Sequence, residues 1–293
     1  MLFDLKFFKS LKLLSIIAKR HFRGEKIGHR RSPNRGSSAE FAEYKEYLPG
    51  DDLRFIDWNL YARLDRLYIK KFHNEEELNV SILLDASQSM AFGTPTKFDH
   101  ARKIAAAIAY IALQHHDHAR LYTFSQSLDP SSEGGFRRGH IHRLMGFLEK
   151  SAPAGRTPSF DEVITRFLLK NRRPGVVFLL TDALFGEDLY RGLQRLAHRR
   201  FETNLVQILS PEEMTPDLAG PLELVDAEDQ SRVRLTINNQ VLTLYEEVLR
   251  ETIDELKGFL HRQGMRYHQS LTTAPFESTL LTLFEGAAGA LPA

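Results

Sequence analysis

The sequence predicts an α/β protein: a mostly parallel β-sheet with helices on both faces, preceded by a β-rich N-terminal extension. Three observations carry that prediction. Short runs that are apolar almost throughout recur along the chain, as LNVSILLD (78–85), GVVFLLTD (175–182) and TNLVQILS (203–210). Longer stretches with helical spacing of apolar residues lie between and around them, and strands apolar on both faces need cover on both faces. Two of the runs end abruptly in aspartate, Asp85 and Asp182. In a doubly wound sheet the carboxyl ends of the strands are where ligands bind.

Three regions follow along the chain. Residues 1–23 read as an amphipathic basic helix, with Phe3, Phe7, Leu11, Leu14 and Ile17 at helical spacing. The longest uncharged run there, 13–18, falls far short of the ~20 residues needed to span a bilayer. No small-residue cleavage site follows it, so a secretory signal is not expected. The expectation is that its apolar stripe packs on the protein body, with contact to an anionic membrane surface as the alternative. Residues 24–77 form a polar, turn-rich extension, in which YIKKFHNEEE (68–77) reads as an extended edge.

Residues 78–293 form the main domain. The strand at 78–85 is followed by a long helix (97–117), a second strand (118–124) and a hairpin turn at DPSSEGG (129–135). Helices are expected over 140–150 and 159–173, the latter opening after Thr157-Pro158. The strand at 175–182 is bounded by Pro174-Gly175. A helix (187–200), a strand (203–210), a hairpin (222–237), a long helix (240–263), a strand (265–272) and a short helix (275–286) complete the chain.

Composition bounds the chemistry. Apolar residues make up 42% and charged residues 26% of the 293, the balance of a folded globular protein. Lys+Arg (39) nearly cancels Asp+Glu (38), which gives no overall bias towards nucleic acid. The absence of cysteine excludes disulfides, thiolate metal sites and cysteine nucleophiles. Together with the lack of a spanning segment this points to the cytoplasm. His115, His116 and His118 straddle a helix end and a strand start and are read as surface. There is no Gly-x-Ser-x-Gly elbow, no phosphate-binding glycine loop and no His-Glu-x-x-His pair, so catalysis finds little support.

The pattern that remains is Asp85-x-Ser87-x-Ser89, directly where a buried strand runs out. In extended backbone, residues two apart project to one side. One carboxylate and two hydroxyls can therefore face one spot, and such a set suits a hard cation: Mg²⁺ first, with Mn²⁺ or Ca²⁺ as alternatives. Mg²⁺ takes about six oxygens, so other loops at the same edge must contribute. Thr157 and Asp182 are the candidates. The competing account is an Asx or Ser turn leading into the helix near Lys97.

This constellation resembles the metal-ion-dependent adhesion site of von Willebrand factor A domains, a Rossmann-like fold. The resemblance implies that Ser87, Ser89 and Thr157 bind the metal directly or through water and that Asp85 and Asp182 act mostly through water. It also implies that an acidic residue of a protein partner completes the shell. The residue before the threonine, often glycine in that family, is Arg156 here. Upstream, Glu40-Phe41, Pro49-Gly50-Asp51-Asp52, Arg54-Phe-Ile-Asp57-Trp58 and Ala62-Arg63 resemble the progression shared by domain of unknown function family 58. Members are commonly encoded beside MoxR-type AAA+ ATPases, which implies an adaptor or assembly role for a metal-dependent protein–protein interaction module. A metal-assisted hydrolase of phosphate esters is the alternative. Within that motif, Asp51 or Asp52 is expected to cap backbone amides, Asp57 to pair with Arg54 or Arg63, and Trp58 to anchor a core.

Overall fold

The computed structural model describes residues 3–25, 39–74, 78–130, 138–156, 159–228 and 230–288. The chain divides into two compact units, residues 29–77 and the remainder. The larger unit is built on a six-stranded sheet. Its strands are β3 (Asn79–Asp85), β4 (His118–Phe124), β5 (Leu128–Pro130), β6 (Val176–Thr181), β7 (Glu202–Leu209) and β10 (Arg266–Leu271), in the order β10-β7-β6-β3-β4-β5. Every pairing is parallel except the β4–β5 hairpin. The sequence places that hairpin's turn at 129–135; it instead lies at residues 125–127, where Ser125 N donates to Ser127 O, and residues 128–130 already run back along β4. Residues 131–135 of the expected turn lie outside the described residues.

Alternation along β3 sends neighbouring side chains to opposite faces. Ile82 and Leu84 join one hydrophobic cluster, with the helices α3 (Lys97–Gln114), α4 (Ile141–Lys150) and α9 (Phe276–Ala288). Leu83 joins another, with α5 (Phe160–Lys170), α6 (Glu187–His198) and the buried end of α8 (Asn239–Arg262). Both faces of the sheet are thus covered, as its unbroken apolar strands require. The fold is the mostly parallel, two-sided α/β architecture that the sequence predicts.

The helix α1 (Leu5–Glu25) packs on α3 and α9. Phe3, Phe7, Leu11 and Leu14 are buried, and the Phe7 ring lies 5.0 Å from that of Phe276. Leu5 and Leu13, off this stripe, stay exposed. The apolar face of this basic helix therefore covers the unit's own core.

A short helix α7 (Pro211–Met214) follows β7, and a two-stranded hairpin, β8 (Gly220–Val225) with β9 (Arg232–Ile237), precedes α8. No described helix is long and apolar enough to cross a membrane.

In the smaller unit, β1 (Ala39–Glu46) pairs antiparallel with β2 (Tyr68–Asn74), with a bulge at 41–43. The Pro49-Gly50 turn is closed by Asp51 N donating to Leu48 O, and Gly50 sits at φ +105°, which only glycine adopts readily. Asp51 accepts from the Leu48 amide and Lys45, while Asp52 accepts from the Arg54 amide and guanidinium. Asp57 corrects the expectation. It pairs with neither Arg54 nor Arg63 but accepts from Lys70 Nζ and Tyr44 Oη, both at 2.9 Å, and caps α2 (Trp58–Leu64) through the Asn59 and Leu60 amides. The Lys70 bond, then that of Tyr44, holds its carboxyl down to about 2. Trp58 is no core anchor: it is 64% exposed. Glu40 lies in β1, and Arg63 is exposed in the last turn of α2.

Leu11→Ala should lower the stability of the larger unit by about 2–5 kcal/mol, the cost of a buried leucine cavity. Leu13→Ala on the exposed face of the same helix should stay within about 0.5 kcal/mol. Urea unfolding of both variants against wild type measures this.

Candidate functional site

The chain steps from β3 outwards to β4, then returns to place β6 on the other side of β3. This reversal of strand order opens a crevice beyond the carboxyl ends of β3 and β6. In the β3–β6 register Leu84 faces Leu180, which brings Asp85 alongside Thr181 and puts Asp182 one residue further out. Asp85 and Asp182 therefore belong to one site because two parallel strands end together.

Asp85 is wholly buried and both its oxygens are engaged. Thr181 Oγ1 donates to Oδ2 at 2.6 Å and the Ser87 amide donates to Oδ1 at 2.9 Å. The second bond is an Asx turn that swings the chain out of the strand and fixes where Ser87 and Ser89 point. Their hydroxyl oxygens lie 3.0 Å apart. Burial first, and the nearby Asp182 charge second, push the Asp85 carboxyl up to about 7, against the opposing hydrogen bonds from Thr181 and Ser87.

The loop after α4 supports the serines from the side. Ala154 N donates to Ala86 O and Gln88 N donates to Gly155 O, both at 2.8 Å. Gly155 has φ +71°, and a Cβ there would come within 2.8 Å of the Gln126 side chain, so the path of this loop favours glycine. Arg156 is the last described residue before Thr157. Thr157 itself, with Pro158, lies outside the described residues.

Asp182 is buried and its Oδ2 accepts from Lys97 Nζ at 2.8 Å. Lys97 is only 1% exposed, and its ammonium also reaches Glu213 Oε1 at 2.5 Å. Burial alone would push the lysine pKa down; the Asp182 and Glu213 charges outweigh it and hold the group above its usual value. Glu213 is fixed in turn by the capping box of α7: its side chain accepts from the Ser210 amide while Ser210 Oγ accepts from the Glu213 amide. The turn after β6 is tightened by the Ala183 amide donating to Thr181 Oγ1, with Ala183 held at φ +64°. That left-handed conformation costs a non-glycine residue about 1–2 kcal/mol.

Sequence reasoning missed Lys97, Glu213 and Thr181. One signal was present for Lys97. A cation in the first turn of a helix opposes the macrodipole, so such a lysine calls for a carboxylate partner. Glu213 was legible as part of a Ser-Pro-Glu-Glu cap, though not as the lysine's second partner.

The donor set fits a hard cation. Two oxygens on adjacent corners of a Mg²⁺ octahedron with bonds near 2.1 Å lie about 3 Å apart, the separation of the two serine hydroxyls. Among the described residues no three His, Asp or Glu side chains gather into a metal-binding group, so a cation here would rest on Ser87 and Ser89 with the carboxylates behind them. Asp85 would orient the serine loop rather than bind directly, since both its oxygens already accept hydrogen bonds.

Lys97→Met should destabilise the larger unit by about 3–5 kcal/mol, because it strands buried carboxylate charge. The triple variant with Asp182→Asn and Glu213→Gln should recover much of this in the same urea unfolding assay. For Asp85, whose folded pKa lies above its unfolded value, the native state binds the extra proton and its contribution to stability falls as pH rises from about 4 to 7. His100 and His268, held down to about 4 mainly by burial, change stability in the opposite sense over part of that range. The difference between Asp85→Asn and wild type isolates the carboxyl: without added metal, the stability of the Asn variant relative to wild type should grow from pH 4 to 7 in parallel thermal melts.

The chain is 27% identical over 232 residues to uncharacterized proteins of Mycobacterium tuberculosis and Mycobacterium bovis, covering 77% of this chain and 72% of each of theirs. Among solved structures it is similar to a conserved hypothetical protein, BatB, of Bacteroides thetaiotaomicron (TM-score 0.46, 12% identity, 71% of this chain and 96% of that one). It is also similar to an aerotolerance-related membrane protein of Bacteroides fragilis (TM-score 0.47, 12% identity, 72% and 98%). The model of the family described as "Protein of unknown function DUF58" matches residues 43–254, which reaches from β1 in the smaller unit into α8. The chain belongs to the DUF58 family.

Proposed function

We propose that this protein is a metal-dependent protein-binding module, in which the carboxyl edge of the sheet holds Mg²⁺ on Ser87, Ser89 and Thr157. Asp85 and Asp182 order the loop and the ion's waters, and an Asp or Glu of a partner protein supplies a further ligand. The observation that carries this reading is the pair of serine hydroxyls set 3.0 Å apart by the fully buried Asp85 at the end of β3. Hydroxyls are neutral ligands, so a cation bound mainly by them retains charge with which to attract an incoming carboxylate. The resemblance to the von Willebrand factor A site supports the same assignment, and the family's resemblance makes a MoxR-type AAA+ ATPase in the cytoplasm the first partner to test, with this chain as adaptor or assembly factor.

A ligand selective for the native state stabilises it, by about 1.4 kcal/mol at ten times its dissociation constant. Millimolar Mg²⁺ or Mn²⁺ should therefore raise the melting temperature of wild type by a few degrees and leave Asp85→Ala unmoved. A pull-down from native extract, with Mg²⁺ and with chelator, should recover a partner only with wild type and metal, not with Asp85→Ala or Asp182→Ala. A melting temperature unchanged by metal in both proteins would remove the metal from this reading. Phosphoester turnover lost in Ser87→Ala would replace a binding role by hydrolysis.

A further inference from the structure

The turn joining β8 and β9 carries Glu228 to the crevice. The hairpin is otherwise mostly exposed, yet the Glu228 side chain is only 22% exposed. Its position is fixed from behind: the Glu228 amide donates to Asp226 Oδ1 at 2.7 Å, and the turn is closed by Asp226 N to Ser231 O at 2.9 Å. From the front, Arg156 Nε lies 3.3 Å from Glu228 Oε2. Arg156 follows Gly155, whose carbonyl accepts from the Gln88 amide, so this ion pair sets Glu228 against the loop that carries Ser87 and Ser89. Burial first, then repulsion from Asp182, pushes the Glu228 carboxyl up; Arg156 and Ser89 act against this.

A partly buried carboxylate is an unfavourable arrangement unless a cation lies beside it. Lys97 is committed to Asp182 and Glu213, and Arg156 is largely exposed, so its ion pair is a weak restraint. We propose that Glu228 is an acidic ligand supplied by the chain itself, completing the cation site of Ser87 and Ser89 from the β8–β9 hairpin. This rests on reading the two serines as a cation cradle. Arg156, which stands where related sites often have glycine, is then the positioning residue that holds Glu228 over the cradle. A carboxylate from a partner would compete with Glu228 for the same face of the ion, and the exposed latch is weak enough to give way.

The test uses Mn²⁺ as the probe, with free Mn²⁺ read by electron paramagnetic resonance in the full-length protein. Wild type should bind one ion, Glu228→Gln should bind it about tenfold or more weakly through loss of an anionic ligand, and Glu223→Gln on the same hairpin should match wild type. Arg156→Ala, which keeps the carboxylate and removes the latch, should fall between wild type and Glu228→Gln. Hydrogen exchange adds a second readout: Mn²⁺ should protect amides of residues 226–231 in wild type and leave them unprotected in Glu228→Gln. Equal Mn²⁺ affinity in wild type and Glu228→Gln would overturn the role of Glu228 and leave the serine cradle standing. No Mn²⁺ binding by wild type at millimolar concentration would overturn both.

Discussion

The buried ammonium of Lys97 is the constraint around which the carboxyl edge of the sheet is organised. It begins α3, yet it is anchored to Asp182 at the end of β6 and to Glu213 in α7. A lysine so placed opposes the helix dipole and has lost its water, so two carboxylates have to be brought to it. Three segments far apart in sequence are thereby fixed at one point. Such a pair adds little net stability compared with an apolar replacement, but its geometry is exacting. Asp182 is consequently not a free carboxylate available to a metal: one oxygen is already occupied by an internal cation.

Asp85 is held differently. No cation touches it among the described contacts; it is held by the Thr181 hydroxyl and the Ser87 amide. The two aspartates that look equivalent in sequence thus do different work. Asp182 is paired with an internal cation, whereas Asp85 uses one oxygen to turn the serine loop and the other to tie the end of β3 to that of β6. The result is an edge with ordered hydroxyls in front and negative charge behind, which is the arrangement a hard cation stabilises.

The smaller unit shows the same economy of polar groups. Asp57 caps α2, accepts from Tyr44 and pairs with Lys70, so one carboxylate joins both strands to the helix. Arg54 and Arg63 were nearer in sequence, but Arg54 folds back on Asp52 instead. Trp58, the first residue after that cap, is largely exposed. A seven-residue helix is too short for its periodicity to tell whether one tryptophan is buried.

Sequence alone determined the sheet and its cover. Runs such as 176–180 are apolar at every position, and their shortness and the Pro174-Gly175 before them read as a strand buried on both faces, while the helices between such runs show their stripes plainly. It also singled out Asp85, Ser87 and Ser89, but the extended backbone expected there ends at Asp85: an Asx turn and a 3-10 helix over Gln88–Ala91, not strand alternation, bring the two hydroxyls together. Only the tertiary structure decided what those groups meet. Thr181 reaches Asp85 across 96 positions, Lys97 reaches Asp182 across 85 and Glu213 across 116, and Glu228 arrives on a distant hairpin to pair with Arg156. Local pattern records which way a side chain points and how deeply it is buried. It does not record which distant strand end or turn arrives beside it, because that is set by strand order and register in the assembled sheet.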